Sequence, residues 1–236
     1  MNIEMSECPN CGAKLKNGLL SSIGISPSVT LIEKKLTDVI NLYHDKKVDG
    51  YCTKCVGDLD TKYLSQLQKE REHLQNEIQR LIEAIPVVST HSPLNWDYDI
   101  LCMVTGQSTT GTGVVSEFTS SFADLFGAQS GGFNKKLKAG EDMCFTQLRK
   151  QVLDFGGNAV IATDIDYSEV GGEKGMLMVC MGGTAIRLKN VSILGADRAI
   201  KIDELAKLNQ RIKFLFSIID SEQIKAILND LRYKKA

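Results

Sequence analysis

Residues Ala159-Val-Ile-Ala-Thr-Asp-Ile-Asp-Tyr167 and Met176-Leu-Met-Val-Cys-Met-Gly-Gly-Thr-Ala-Ile-Arg-Leu188 read as two strands, joined by a turn containing Gly171-Gly172 and Gly175. Both runs are rich in β-branched and apolar residues and are bounded by glycine, the pattern of strands that pair side by side. Upstream, Gly156-Gly157 stops a helical pattern over 133–155 in which Leu137, Cys144, Phe145, Leu148, Val152 and Phe155 share one face. Before that lie the turn Gly127–Gly132, a short helical pattern over Ser116–Phe126, and a strand over Tyr98–Thr105. The order strand, helix, helix, strand, strand predicts an α+β domain over 96–192, a two-layer unit with helices covering one face of a sheet.

The flanks are helical. Ile202, Leu205, Leu208, Ile212, Leu215 and Ile219 predict one helix. Asp220 or Ser221 then caps a second that carries Ile224, Ile227, Leu228 and Leu231, so 193–236 reads as a helical hairpin with a basic end at Arg232, Lys234 and Lys235. Residues 87–95 contain turn formers and read as a linker. Over 58–86, Leu64, Leu67, Leu74, Ile78, Leu81 and Ile85 follow a heptad spacing with Arg71 in the gap. No glycine or proline interrupts the run until Pro86, which predicts a helix about 39 Å long. It lies on a domain or pairs with copies of itself, and Arg71 in the seam argues against the second.

Residues 1–57 hold four of the seven cysteines in two pairs, Cys8-Pro-Asn-Cys11 and Cys52-Thr-Lys-Cys55. A thiolate pair two residues apart chelates one ion from a tight turn, and two pairs complete the four-sulfur shell of a structural Zn²⁺ site. Gly12 and Gly50 flank the pairs. Cys8-Pro-Asn-Cys11-Gly12 resembles the knuckle of a zinc ribbon. The spacer of about 40 residues is longer than the 15 to 20 of a compact ribbon. Ile32, Leu36, Val39, Ile40 and Tyr43 predict an inserted helix within it. The expected ligands are Cys8, Cys11, Cys52 and Cys55, with a folding role for zinc because no coordination position is left open. Free thiols, two disulfides, or iron in a rubredoxin-like site remain as alternatives. His44, beside Asp45-Lys46-Lys47, reads as a solvated helix end.

Composition narrows the function classes. The chain has 236 residues, 28 Lys+Arg against 29 Asp+Glu, and 43% apolar residues. No run approaches the ~18 apolar residues of a membrane span. The start lacks a basic and apolar leader, so the expected compartment is the cytosol. Charge balance gives no electrostatic case for nucleic acid, and the lysines of 1–57 are accompanied by only Tyr43 and Tyr51 for stacking. No nucleophile elbow, phosphate loop or His-Glu-x-x-His motif is present. The glycine-rich run Gly106–Gly113 offers amides for an anion but lacks a following lysine. Asp164 and Asp166 share a strand face, and Glu141 sits at the edge of a helix stripe; together they form a candidate acidic site. Met176, Met178 and Cys180 also share one strand face, soft donors that read as core under the helices, as do Cys102 and Cys144.

The runs Val104-Thr-Gly106, Gly127-Ala-Gln-Ser-Gly131, Asp164-Ile-Asp-Tyr167, Met176-Leu-Met-Val179 and Gly183-Thr-Ala185 resemble the YbjQ-like family in order and spacing. The resemblance implies a small two-layer unit that assembles into a ring, typically a pentamer, under the family label "putative heavy-metal-binding domain". Gln129 stands where a basic residue is usual, and Gly140 stands where a small helix former is usual, weakening the helix by up to about 1 kcal/mol. The resulting expectation is a non-enzymatic homo-oligomer in which a ring presents zinc-bound modules to a partner or ligand, raising avidity without tighter single contacts. The alternatives are a small-molecule or catalytic site at subunit boundaries built on Glu141, Asp164 and Asp166, and nucleic-acid contact through the ribbon.

Overall fold

The hairpin at the centre of the sequence forms. In a computed structural model, which describes residues 5–15, 29–110, 131–170, 176–221 and 224–228, strand β2 (Ala159–Val170) pairs antiparallel with β3 (Met176–Leu188). Strand β1 (Tyr98–Thr110) adds to the other side of β3, giving the order β1-β3-β2. Helix α3 (Gly131–Asp154) covers one face. The turn 171–175, the expected helix 116–126 with residues 127–130 of the turn after it, and residues 229–236 lie outside the described residues.

Two contact-defined units make up the chain. One comprises Glu77–Asn209; the other comprises residues up to Asn76 together with those from Gln210 onward. Helices α2 (Leu59–Leu81) and α4 (Ala196–Ile219) each contribute to both.

In the Glu77–Asn209 unit, the core joins Val104, Cys144, Leu148, Val152, Val160, Val179, Met181 and Ala185 with Leu81, Ile82, Ile85, Ile202 and Leu205. The periodic residues Ile78, Leu81 and Ile85 therefore end in this core, through α2 and a 3₁₀ turn at Ile82–Ala84. The register decides which face of β3 is inward. Val179 and Met181 point at α3, whereas Met178 and Cys180 alternate with them, are half-buried, and lie on the other face. The reading of Met178 and Cys180 as core under the helices is thus corrected; Cys144 and Cys102 do join the core.

Strand β1 runs five residues past the expected end because its inward positions there are small: Gly106, and Ser108 at 5% exposure. Small residues carry no apolar alternation, yet they allow close approach. A Cβ on Gly106 would lie 2.7 Å from the Cys144 carbonyl oxygen. A Cβ on Gly140 would lie 2.9 Å from Val179 Cγ2. The glycine that weakens α3 locally is therefore the one that lets α3 settle on the sheet.

The outer margin of β1 is also satisfied by α3. Gln147 and Gln151, one turn apart, each form a two-way amide pair with alternate β1 residues. Gln107 N–H donates to Gln147 Oε1 and Gln147 Nε2 donates to Gln107 O, both at 2.9 Å. Thr105 N–H donates to Gln151 Oε1 at 3.3 Å and Gln151 Nε2 donates to Thr105 O at 2.5 Å. On the margin of β2, residues Pro86–Thr90 run alongside, with Val160 N–H donating to Pro86 O and Val88 N–H donating to Val160 O. On the face away from α3, Ala159, Ile161 and Ile186 are covered by Val88, Trp96 and Tyr98.

The other unit contains helix α1 (Lys34–Tyr43), whose Leu36, Val39 and Ile40 are fully buried, as predicted for the inserted helix. Leu64 and Leu67 of α2 and Leu215 of α4 are fully buried here, and Arg71 lies 4.5 Å over the Phe216 ring. Ser221 Oγ accepts from Ile224 N–H at 3.3 Å, which makes Ser221 the cap of the helical residues 224–228. Glu70 ties three helices together: it receives Arg211 Nε at 2.6 Å and Nη2 at 3.2 Å, and the Tyr43 hydroxyl at 2.5 Å.

Burial alone would raise the Glu70 carboxyl, but the hydrogen bonds from Arg211 and Tyr43 outweigh it and hold it below the usual carboxylate range. Its stabilisation is therefore complete above the unfolded pKa and is lost as pH falls through the folded value. Arg211 is 37% exposed, so solvent screening reduces the pair's worth. Glu70→Gln should lower stability at pH 7 by about 1 kcal/mol, read from urea denaturation by circular dichroism, with the gap closing below about pH 4. A gap that widens on acidification contradicts the assignment.

Candidate metal centre

Each cysteine pair sits in a short hairpin set by backbone hydrogen bonds. In the first, Glu7 bridges Lys14, Cys8 N–H donates to Ala13 O at 2.8 Å, and Gly12 N–H donates to Cys8 O at 2.8 Å. Gly12 holds φ at +71°, a conformation open to glycine at no steric cost. In the second, Leu31 bridges Cys52, and the N–H groups of Cys55 and Val56 both donate to Cys52 O. Gly50 serves through its lack of a side chain: a Cβ there would meet Leu31 at 3.3 Å and Pro9 at 3.7 Å. The hairpins are thereby pressed together at their glycine and proline.

This packing brings the four sulfurs to one place. The Sγ atoms of Cys8, Cys11, Cys52 and Cys55 all lie within 4.8 Å of one another. Cys8 is 3.7 Å from Cys55, and Cys11 is 3.7 Å from Cys52, so the shortest contacts cross from one pair to the other. Four sulfurs placed tetrahedrally at about 2.3 Å from a zinc ion are about 3.8 Å apart. The observed contacts match that edge and are far beyond a sulfur–sulfur bond of about 2.05 Å. Cys8 and Cys52 are buried, Cys55 is half-buried, and Cys11 is exposed. The only apolar neighbours clustered with them among the described residues are Leu15, Ala13 and Val29.

The thiols do not titrate alike. Burial by itself would push Cys8 up, but the N–H groups of Cys11 and Asn10 and the neighbouring thiols bring it down to about 7. Burial holds Cys55 up at about 11 against the donors around it. Packed thiols divide in this way because one thiolate opposes ionisation of the next. A central dication removes the conflict by favouring four thiolates together. The donor set therefore fits a soft or borderline divalent metal, held in a closed shell.

Two residues around this set had no signal in the sequence. Asn10 Nδ2 donates to Cys55 Sγ at 3.4 Å, and Lys46 Nζ donates to Asn10 Oδ1 at 2.7 Å and to Asn10 O at 3.4 Å. Cys52 N–H also donates to Cys55 Sγ, at 3.3 Å. His44 stays outside the cluster, tilted against Tyr63 with its Nδ1 accepting from Lys46 N–H.

The remaining candidates do not converge within one chain. Asp164 and Asp166 are opposite Gly182 and Cys180 on the face away from α3. Glu141 lies over the other face, accepting from the Tyr167 hydroxyl at 3.0 Å and paired with Lys138 at 3.7 Å. The sheet separates the three acids, because side chains of adjacent strand residues point to opposite faces. Among the described residues the cysteine cluster is the one group of His, Cys, Asp and Glu arranged to hold an ion. The glycine-rich run is strand rather than loop from Gly106 through Thr110; its remainder from Gly111, together with the Met176 side chain and Gln129, lies outside the described residues. No helix among the described residues is long and apolar enough to cross a membrane.

One solved structure similar to this chain is that of a protein of unknown function in the DUF74 family from Pediococcus pentosaceus ATCC 25745. It is 16% identical, the match covers 44% of this chain and 96% of that one, and the TM-score is 0.29. Residues 86–189 match the YbjQ family model described as "Putative heavy-metal-binding", and the cysteine cluster lies outside the matched residues. The stretch that matches this family model holds the three-stranded antiparallel sheet and its covering helix.

Proposed function

We propose that this is a non-enzymatic metal-binding protein in which Cys8, Cys11, Cys52 and Cys55 hold a structural zinc ion, and a YbjQ-like ring presents the resulting module to a protein partner or ligand. The observation that carries the reading is the convergence of four sulfurs from two hairpins to within 4.8 Å of one another. Zinc suits the role because it is redox-inert and has no ligand-field preference, so a closed tetrahedron of thiolates commits it to folding. A reducing compartment such as the cytosol suits four thiols that serve as metal ligands. The ring, a pentamer by family resemblance, would multiply weak contacts of the module into avidity.

Elemental analysis together with light scattering tests both parts. The expected result is one zinc per chain and a mass that is a multiple of 26.0 kDa. Protein that takes up no metal from zinc-containing reducing buffer ends the metal reading, and iron as the bound ion replaces zinc. A monomer removes the ring and its avidity while leaving the zinc module.

A further inference from the structure

The four-thiolate shell carries a charge problem that the backbone answers only in part. Four thiolates around a dication leave two net negative charges, and outer donors must stabilise them if the ion is to be retained. Cys55 shows how the rest is met. Beyond the Cys52 N–H at 3.3 Å, it receives a side-chain donor from the opposite hairpin, Asn10 Nδ2 at 3.4 Å. Asn10 is itself oriented: its Oδ1 accepts from Lys46 Nζ at 2.7 Å, which fixes the amide with its nitrogen toward sulfur. Lys46 comes from the segment after α1, 36 residues away, and brings a positive charge to the same side of the site.

We infer that Lys46, Asn10 and Cys55 form a relay in which Asn10 is a positioning residue for the metal: it lends a hydrogen bond to the Cys55 thiolate, polarised by Lys46, and clasps the two hairpins around the ion. The inference rests on the metal reading above and extends it from the ligands to what tunes them. A hydrogen bond to a metal-bound thiolate lowers the energy of its lone pairs. The sulfur becomes a weaker donor to solvent protons and electrophiles, and the ion stays longer. Lys46 acts through the amide, so its effect is smaller and is screened by salt because the side chain is exposed.

The test uses full-length chain loaded with zinc and, separately, with cobalt(II). Asn10→Asp keeps the shape and the acceptor for Lys46 but removes the donor and adds a negative charge. It should weaken zinc binding by about 10- to 100-fold in chelator competition, the range typical of outer-shell partners. It should also move the thiolate-to-cobalt charge-transfer band to lower energy, since an unbonded sulfur gives up an electron more readily. A change of stability alone leaves that band in place. Lys46→Met should give the same two changes to a smaller degree, and Lys46→Arg should restore both. If wild-type chain binds one ion while Asn10→Asp and Lys46→Met bind it within about twofold with an unmoved cobalt band, the relay is overturned and the metal site stands. Wild-type chain that takes up neither ion overturns the site and the relay together.

Discussion

Cys8→Ser protein should lose its metal, and residues 5–15 and 50–57 should become open to protease. Apolar burial next to the sulfurs is slight, with Leu15 the one buried residue in that cluster besides Cys8 and Cys52. Binding of a structural zinc by a small module contributes on the order of 10 to 16 kcal/mol at neutral pH, far more than a core of that size. Serine supplies no thiolate, and the 3.7 Å contact with Cys55 is replaced by a group that a borderline metal binds poorly. Limited proteolysis with mass spectrometry, alongside metal content, reads the outcome. Cys144→Ser is the control, since Cys144 is equally buried but sits under the sheet, donating to Val179 O, and should leave the metal untouched. Cys8→Ser protein that keeps both its zinc and its protease resistance refutes the assignment.

The second large effect belongs to Gly106. A side chain there meets backbone: the Cys144 carbonyl oxygen at 2.7 Å, its Cα at 2.9 Å and its carbonyl carbon at 3.1 Å. Side chains give way by changing rotamer, whereas relief here requires α3 to lift from the sheet that carries Val104, Val179 and Met181. Gly106→Val should therefore destabilise the Glu77–Asn209 unit by about 3 kcal/mol or more, at the upper end of overpacking effects. Trp96, packed against Ala159, Ile161 and Ile186, is the single tryptophan and reports this unit by fluorescence during urea denaturation. Gly182→Ala makes a comparison on the same sheet, where the nearest atom to a new Cβ is Met103 Cε at an ordinary 3.7 Å. Equal midpoints for the two variants would show that the close approach is not what the fold depends on.

How much of this could be read beforehand follows from what periodicity encodes. Leu137, Leu148 and Val152 repeat at helical spacing, so α3 was legible, and the Gly156-Gly157 stop marked its end. The paired cysteines were legible because chelation by a tight turn demands that spacing. The inward face of β3 was not, because as the central strand it is apolar at both parities, and alternation then gives no vote between Met178 and Val179. Strand β1 was cut short because Gly106 and Ser108 face inward without apolar side chains. That the acidic trio does not meet within one chain was hidden for a related reason: side-by-side position in a list of elements does not say on which side of a sheet each carboxylate falls. Asn10 could not be paired with Lys46 at all, since 36 residues separate them and neither residue type is unusual where it stands. Nor does any local pattern reveal that α2 and α4 each serve two units, since that division depends on contacts between residues far apart in the chain.

The paired amides of Gln147 and Gln151 bear on how the protein avoids aggregating. A terminal strand with bare peptide groups invites any passing extended chain to dock and continue the ladder, and many proteins discourage this with lysine or proline. Here the would-be docking groups at Thr105 and Gln107 are already engaged by a helix of the same molecule. An intruding strand must first expel two bidentate partners, so runaway polymerisation along that border is opposed by the fold itself rather than by charge, and the protection persists in high salt.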